Sequence, residues 1–371
     1  MAPLDQATIY GVSDVGFAAG RRLASAGLEV TIADESLKTA VRLPKADSAV
    51  LSTLFGEDTL SPIVPLSECI SRSAVLVFSP KLKSSGAEGR AEQLLRLKEV
   101  GQSLGKGCIV LNVVPLSLGG NKSFVGILEE QSGLKAGTDF TYVYAPASSE
   151  GGSPVGGIMG KPLTKKLSAA LGLPSALTDV DTAELMFVGY TLRKYLEKAV
   201  QASMYRDLSV TVRPDRTLYI DDLSKGFFEV QLLMEGLQQG DPLLHFAAGA
   251  MRSLSSYMKI LESFIRLQVR NRGLKAIRSR ILVLWSIDQF EMKAEKSRLL
   301  SMLLAELREV FGEVEYWNPH DPEGRERSRP LLSERYQVVV TCSAQDSKLI
   351  DSSRPSPGQV VVTATLPPEV A

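Results

Sequence analysis

Cysteine, histidine and net charge are all scarce in this 371-residue chain, and each scarcity excludes something. Cys69, Cys108 and Cys342 are odd in number and far apart. That pattern excludes a disulfide framework and a CxxC metal knuckle, and it fits a reducing compartment. With only His245 and His320 available, a multi-histidine metal centre is impossible, so no metal site is expected. The 42 Lys plus Arg offset 42 Asp plus Glu, which leaves no basic excess for coating nucleic acid or holding anionic lipid. No uninterrupted apolar run reaches the roughly 18 residues that would suggest a membrane span. The start MAPLDQATIY lacks the basic and apolar regions of a secretory leader. A soluble, cytoplasmic protein without membrane or nucleic-acid partners is the expectation.

What is present is an alternation of short β-branched runs and helical patterns, the signature of parallel βαβ units. Strands are expected at Ala7–Val12, Leu28–Ala33, Ala74–Ser79, Gly107–Val114 and Phe140–Ala145, with a helix over Ala87–Leu104. PASSEGGSPVGG (146–157) then reads as a loop. From about Asp179 to Lys275 the apolar spacing is helical, in segments beginning TAELMF, FFEVQL and PLLHFA. From Arg280 the βα pattern resumes, with strands expected in RILVLWS, VEYW, QVVVTCS and QVVVTAT. The fold class is therefore α/β: an N-terminal Rossmann-like parallel sheet, a central helical region suited to packing against a second subunit, and a smaller C-terminal α/β domain.

The first strand runs into GVSDVGFAAG, and the next ends in Asp34. This matches the dinucleotide fingerprint, with Gly11 for the tight turn, Gly16 for close helix packing, the amides around Ser13, Asp14 and Val15 for the pyrophosphate, and Asp34 for the ribose hydroxyls. Asp34 favours NAD over NADP by repelling a 2′-phosphate. Ser13 departs from the usual second glycine; its side chain would either crowd the pyrophosphate or donate a replacement hydrogen bond. Two readings stay open: retained NAD binding, or glycines that only shape a turn in a fold without its cofactor. A second phosphate-loop candidate, GGIMGKP (156–162), fails because Val155 and Pro162 replace its required Gly and Ser or Thr.

In order and spacing, several stretches resemble the UDP-glucose/GDP-mannose dehydrogenase family over almost the whole chain. They are GVSDVGFAAGRRLASAGLEVTIAD, CIVLNVVPLSLGGNKSFVGILEEQSGLKAGTDFTYVYAP, TAELMFVGYTLRKYLEKAV, and ILVLW followed by LLSMLLAELREVFGEVEYWNPHDP. The resemblance implies NAD-dependent, two-step oxidation of a nucleotide-sugar alcohol to the carboxylate. It also implies three domains: an NAD-binding Rossmann-like domain (1–178), a central helical dimerisation domain (179–275) and a C-terminal nucleotide-sugar-binding-like domain (276–371). A homodimer and a UDP- or GDP-linked sugar are the implied partners.

The positions that carry the family's chemistry are altered. Val113 stands where a Thr contacts the catalytic water, and Ala147 where a Glu assists proton transfer. In the helix pattern AElxKxxxN, Ala183 and Glu184 match, while Phe187 and Thr191 replace the Lys and Asn that polarise the reacting oxygen. MEGLQQGDP aligns with the nucleophile loop through Asp241 and Pro242 but puts Leu237 at the cysteine. Oxidation past the aldehyde requires a covalent thiohemiacetal, and no cysteine lies between 109 and 341. No residue is therefore assigned as catalytic. In the C-terminal domain Trp285 ends the first strand, where it would stack on a base or plug the space of a ligand. Gln289 lies near the family's Lys, and Lys296 is a substitute for its Arg.

Among the remaining features, Arg266, Arg270, Arg272, Lys275, Arg278 and Arg280 read either as an anion site or as the solvated end of a helix. His245 reads as a packed helix residue, His320 as part of a polar turn, and Tyr190, Tyr195 and Tyr205 as core or interface aromatics. The expectation is a family member unable to carry out the four-electron oxidation, with a binding or regulatory role in polysaccharide precursor metabolism. The alternative is an active oxidoreductase performing a two-electron reaction with the hydroxyls of Ser117, Ser148, Tyr190 or Thr191.

Overall fold

The computed structural model describes residues 6–34, 39–42, 63–83, 86–148, 153–159, 163–174, 176–204, 217–321, 335–353 and 358–370. The rejected phosphate loop at Gly160–Pro162, the stretch Ser149–Gly152 and Tyr205 lie outside these residues, as does the side chain of Asp34. The chain divides into two compact units. The first comprises Met1–Thr191, Gln231–Leu237 and Phe290–Ala294; the second comprises the rest.

The first unit is an eight-stranded sheet. It contains β1 (Gln6–Tyr10), β2 (Glu29–Asp34), β3 (Thr39–Arg42), β4 (Ile63–Pro65), β5 (Val75–Phe78), β6 (Ile109–Asn112), β7 (Thr141–Tyr144) and β8 (Gly156–Ile158). Their order across the sheet is β4-β3-β2-β1-β5-β6-β7-β8. The five from β2 to β7 in that order are parallel; at the edges β3 runs antiparallel to β2, β4 antiparallel to β3, and β8 antiparallel to β7. Helices cover both faces of the central strands, so those strands read as unbroken apolar runs: Val75, Leu76, Val77 and Phe78 are all fully buried. Their separators are α1 (Asp14–Ser25), α2 (Leu66–Arg72), α3 (Ala87–Ser103) and α4 (Gly120–Ser132), and α5 (Lys165–Leu171) follows β8. Because β1 has β2 on one side and β5 on the other, the strand order reverses between β1 and β5. The carboxyl ends of those two strands are where ligands bind in open parallel sheets.

Two helices have residues in both units: α6 (Val180–Met204) and, later in the chain, α8 (Phe227–Gly236). The second unit adds β9 (Leu218–Tyr219), α7 (Ile220–Ser224) and α9 (Pro242–Asn271). Asp241 caps α9 by accepting the Leu243 amide at 2.8 Å, and Pro242 occupies the first helical position, where its missing N–H costs nothing. Ala247, Ala250, Leu254, Tyr257, Met258, Leu261, Ile265 and Val269 form one buried stripe along α9 at steps of three and four. His245 lies two residues before that stripe, about 200° round the helix, and is exposed rather than packed as the apolar neighbours suggested.

The C-terminal sheet has β10 (Arg280–Leu284) flanked by β11 (Glu313–Trp317) and β12 (Val338–Thr341), then β13 (Val360–Thr363) and β15 (Glu369–Val370). The β10, β11, β12 and β13 strands are parallel, and β14 (Thr365–Leu366) pairs with β9. Helices α10 (Glu295–Arg308) and α11 (Ala344–Ser353) complete the βα pattern. Leu282, Leu284, Val339, Ile350 and Val361 close the core on one side of this sheet. At about 1.5–3 kcal/mol per buried aliphatic side chain, that cluster is a main stabiliser of the domain. The α/β class and its strands thus stand as the hydrophobic pattern implied, with ends shifted by a residue or two.

Candidate dinucleotide and sugar-oxidation site

At the carboxyl end of β1 the backbone turns at Gly11, whose φ is +110°. A Cβ there would lie 2.5 Å from Pro80 Cα and Ser79 O, so only glycine fits between the two loops. A Cβ on Gly16 would lie 2.5 Å from Ser79 Oγ and 2.9 Å from Ile9, which fixes the close approach of α1 to the sheet. Ser13 is extended, fully buried and caps α1: its hydroxyl accepts the Gly16 amide at 3.1 Å and donates to the Ser79 carbonyl at 2.7 Å. The side chain therefore points into the fold. It neither stands in the way of a ligand nor offers one a hydrogen bond.

The first-turn amides decide whether a pyrophosphate fits. Gly16 N–H goes to Ser13, Val15 N–H to the Asp14 carboxylate at 2.8 Å, and Asp14 N–H to the carbonyl of Phe290 at 2.8 Å. Three of the four donors that a helix N-terminus leaves open, those of Asp14, Val15 and Gly16, are thus engaged within the protein. Phe290 belongs to Phe290–Ala294, a short segment that is far away in sequence but part of the first unit. Its ring meets Phe17 edge-on at 5.2 Å, and Lys81 Nζ lies 5.0 Å from its centroid. As arranged, the amides of Asp14, Val15 and Gly16 do not fit a dinucleotide pyrophosphate. Asp34 ends β2, as the fingerprint requires.

Of the five altered chemistry positions, Val113 follows β6 and Ala147 follows β7. Ala147 N–H donates to the Val113 carbonyl at 2.8 Å, which places those two side by side. Phe187 on α6 is fully buried and meets the Tyr144 ring edge-on at 6.4 Å; Thr191 follows one turn later and is also buried. Gly236, next to Leu237, is so close to Ser117 that a Cβ would come within 2.8 Å of the serine Cβ. The five positions hold Val, Ala, Phe, Thr and Leu, with neither a thiol nor a cation among them to stabilise a developing alkoxide.

Glu184, on the same helix, is a residue whose part the sequence left unassigned. It is buried and accepts the amides of Gly119 (2.7 Å) and Asn121 (3.1 Å) together with Asn121 Nδ2 (3.1 Å), so it caps α4. Asn121 Oδ1 in turn accepts the Tyr142 hydroxyl at 2.7 Å, and that oxygen accepts Asn112 Nδ2 at 2.9 Å. Burial holds the Tyr142 phenol far above its ordinary range, so the hydroxyl serves as a fixed hydrogen-bond relay rather than an acid. The Ala-Glu pair at 183 and 184 was the one signal in the sequence pointing to this residue.

In the second unit Trp285 is fully buried at the end of β10. Its indole donates to Asp221 Oδ1 at 2.9 Å, and Lys296 Nζ lies 2.7 Å from the same oxygen. Trp285 fills its place as a core residue, and Lys296 has an internal partner. Gln289 is exposed. The cations of the basic run are dispersed: Arg266 reaches Glu262 at 3.4 Å, Arg280 reaches Glu313 at 2.7 Å, and Arg272 donates to the Gly358 carbonyl. Arg270 and Arg272 sit at the end of α9 before Gly273, at φ +71°, which is the helix-end reading of that run.

Solved structures supply the comparison. A UDP-D-ManNAc dehydrogenase from Pyrococcus horikoshii superposes with a TM-score of 0.62 at 15% identity, covering 97% of this chain and 99% of that one. The chain has the fold of the nucleotide-sugar dehydrogenases. A UDP-glucose dehydrogenase from Pyrobaculum islandicum matches with a TM-score of 0.62 at 13% identity, covering 98% of this chain and 94% of that one. An NDP-N-acetyl-D-galactosaminuronic acid dehydrogenase from Methanosarcina mazei Go1 matches at 0.50 and 14%, covering 98% and 95%. No family model and no curated protein matches the sequence. The nucleotide-sugar dehydrogenase fold thus extends over nearly the whole chain. Among the described residues, no helix is long and apolar enough to cross a membrane.

Proposed function

We propose that this chain is a nucleotide-sugar-dehydrogenase-like protein that does not perform the four-electron oxidation and acts by binding, in a regulatory or partner role in polysaccharide precursor metabolism. The observation that carries this reading is the content of five positions: Val113, Ala147, Phe187, Thr191 and Leu237 stand where the family resemblance expects proton-transfer groups, a cation and a thiolate. The division at 178 and 275, a homodimer through the central helices and a cytoplasmic location belong to the same reading.

A nicotinamide dinucleotide, NAD by virtue of Asp34, is the cofactor class that goes with this fold. The engaged amides at Asp14, Val15 and Gly16 do not fit its pyrophosphate. A UDP- or GDP-linked sugar remains the ligand class for the binding role.

The deciding experiment supplies the purified protein with NAD and a panel of UDP- and GDP-sugars while the nicotinamide absorbance is followed. No reduction with any sugar is the expected result. Turnover of a single sugar overturns the reading and establishes the two-electron alternative or the full oxidation, according to the number of hydrides released per sugar.

A further inference from the structure

The crevice at the strand reversal has two walls: the turn from β1 into α1, and the loop that follows β5. Residues Phe290, Glu291 and Met292 are tied by backbone to both. On the first wall, Asp14 N–H donates to Phe290 O at 2.8 Å, and Met292 N–H donates to Asp14 Oδ1 at 3.0 Å. On the second, Leu82 N–H donates to Met292 O at 2.6 Å. The Phe290 ring anchors the segment against Phe17, beneath Lys81, and Met292 is fully buried.

A pyrophosphate would need this position for itself. It requires open N–H donors at the start of α1, and it is repelled by a carboxylate at the first helical residue. Here the donors of Asp14, Val15 and Gly16 are engaged, and Asp14 supplies that carboxylate. A peptide carbonyl has taken the acceptor role that a phosphate oxygen would fill. Asp14 completes the exchange: its amide and its carboxylate bind the two ends of the same three residues.

We infer that Phe290–Met292 is an internal occupant of the dinucleotide-phosphate position, so that the folded chain excludes NAD(H) from its own crevice. The inference goes beyond the proposed function, which would stand if NADH bound without turnover of any sugar.

The test uses the full-length protein and NADH, followed by nicotinamide fluorescence and calorimetry. Wild type is expected to show no saturable binding up to about 1 mM. The double variant Asp14→Gly, Phe290→Gly removes the carboxylate and the aromatic anchor. It is expected to gain at least ~10-fold in affinity while keeping its α/β circular dichroism. Saturable binding to wild type at about 10 µM or tighter overturns the inference, as does a folded double variant that gains nothing. Should the double variant fail to fold, amide hydrogen exchange on wild type decides. Slow exchange at Asp14, Leu82 and Met292, unchanged by NADH, supports the inference; rapid exchange at these three overturns it.

Discussion

Glu184 and Asn121 meet twice: one carboxylate oxygen of Glu184 takes both the backbone N–H and the side-chain Nδ2 of Asn121, each at 3.1 Å, while the other takes Gly119 N–H at 2.7 Å. Three donors converge on one buried side chain. Removing it as Glu184→Ala strands them, and the expected loss is about 2–4 kcal/mol in urea unfolding monitored by circular dichroism. Glu184→Gln keeps an acceptor and should lose about half as much. Equal effects from the two variants would show that the carboxylate serves something other than the cap.

Trp285 should behave as a core residue. Trp285→Ala leaves a cavity at the end of β10 and is expected to cost about 3–5 kcal/mol. Trp285→Phe keeps most of the volume but leaves Asp221 without its indole donor, though still paired to Lys296, and should cost less than half of that. If UDP or GDP quenched the Trp285 fluorescence in wild type and that response vanished in Trp285→Phe, the base-stacking role would replace the structural one.

Asp346 carries a pH signature. It is buried, and burial raises its carboxyl pKa against the opposing hydrogen bonds from Ser286 and Ser343. A raised pKa in the folded state favours the neutral form. Its contribution is therefore complete below the unfolded value near 4 and is lost as pH rises through the higher folded value. Asp346→Asn keeps a neutral polar group, so wild type should lose stability relative to this variant as pH rises above about 4. Thermal unfolding of both proteins across that range is the check; parallel curves would refute it.

The three thiols should separate by reactivity. Burial pushes the Cys108 pKa up to about 12 and raises that of Cys342 well above the ordinary value, with nearby Asp346 and Asp221 adding to the second shift. Cys69 is only partly buried. Iodoacetamide at pH 8 should therefore modify Cys69 in the folded protein, and Cys108 and Cys342 only after unfolding, as read by mass spectrometry of the peptides. Early labelling of Cys342 would mean that the end of β12 opens in the native state.

Placing a cation at position 187 should not restore chemistry. Phe187 is 2% exposed and packed on Tyr144, so Phe187→Lys puts an ammonium into an apolar site. A loss of at least ~2 kcal/mol in stability is expected, with no gain in NAD reduction even when combined with Leu237→Cys. Activity in the double variant would show that the original residues alone, and not the surrounding geometry, had silenced the site.

Much of the fold was legible because its signals are local. The run of Val75 to Phe78 must be a strand covered on both faces, and the stripe from Ala247 to Val269 must be one side of a helix. The altered site was legible only through family resemblance, which put Val113 and Ala147 in neighbouring roles; the structure joins them by a hydrogen bond. His245 misled, because apolar neighbours along a chain do not say which way a helical side chain faces.

By itself, the sequence determined the strand and helix periods, the glycine turn at Gly11 and the chemical content of the five altered positions, because each depends on residue type and short spacing. Tertiary structure alone decided what occupies the crevice. Asp14 and Met292 are 278 residues apart, and Trp285 and Asp221 are 64 apart. The bonds between them depend on how distant backbone is brought together, and no motif encodes that. The glycine fingerprint sets the shape of a phosphate site, but whether its amides face a ligand or the chain's own carbonyl is settled only when every donor has found its acceptor.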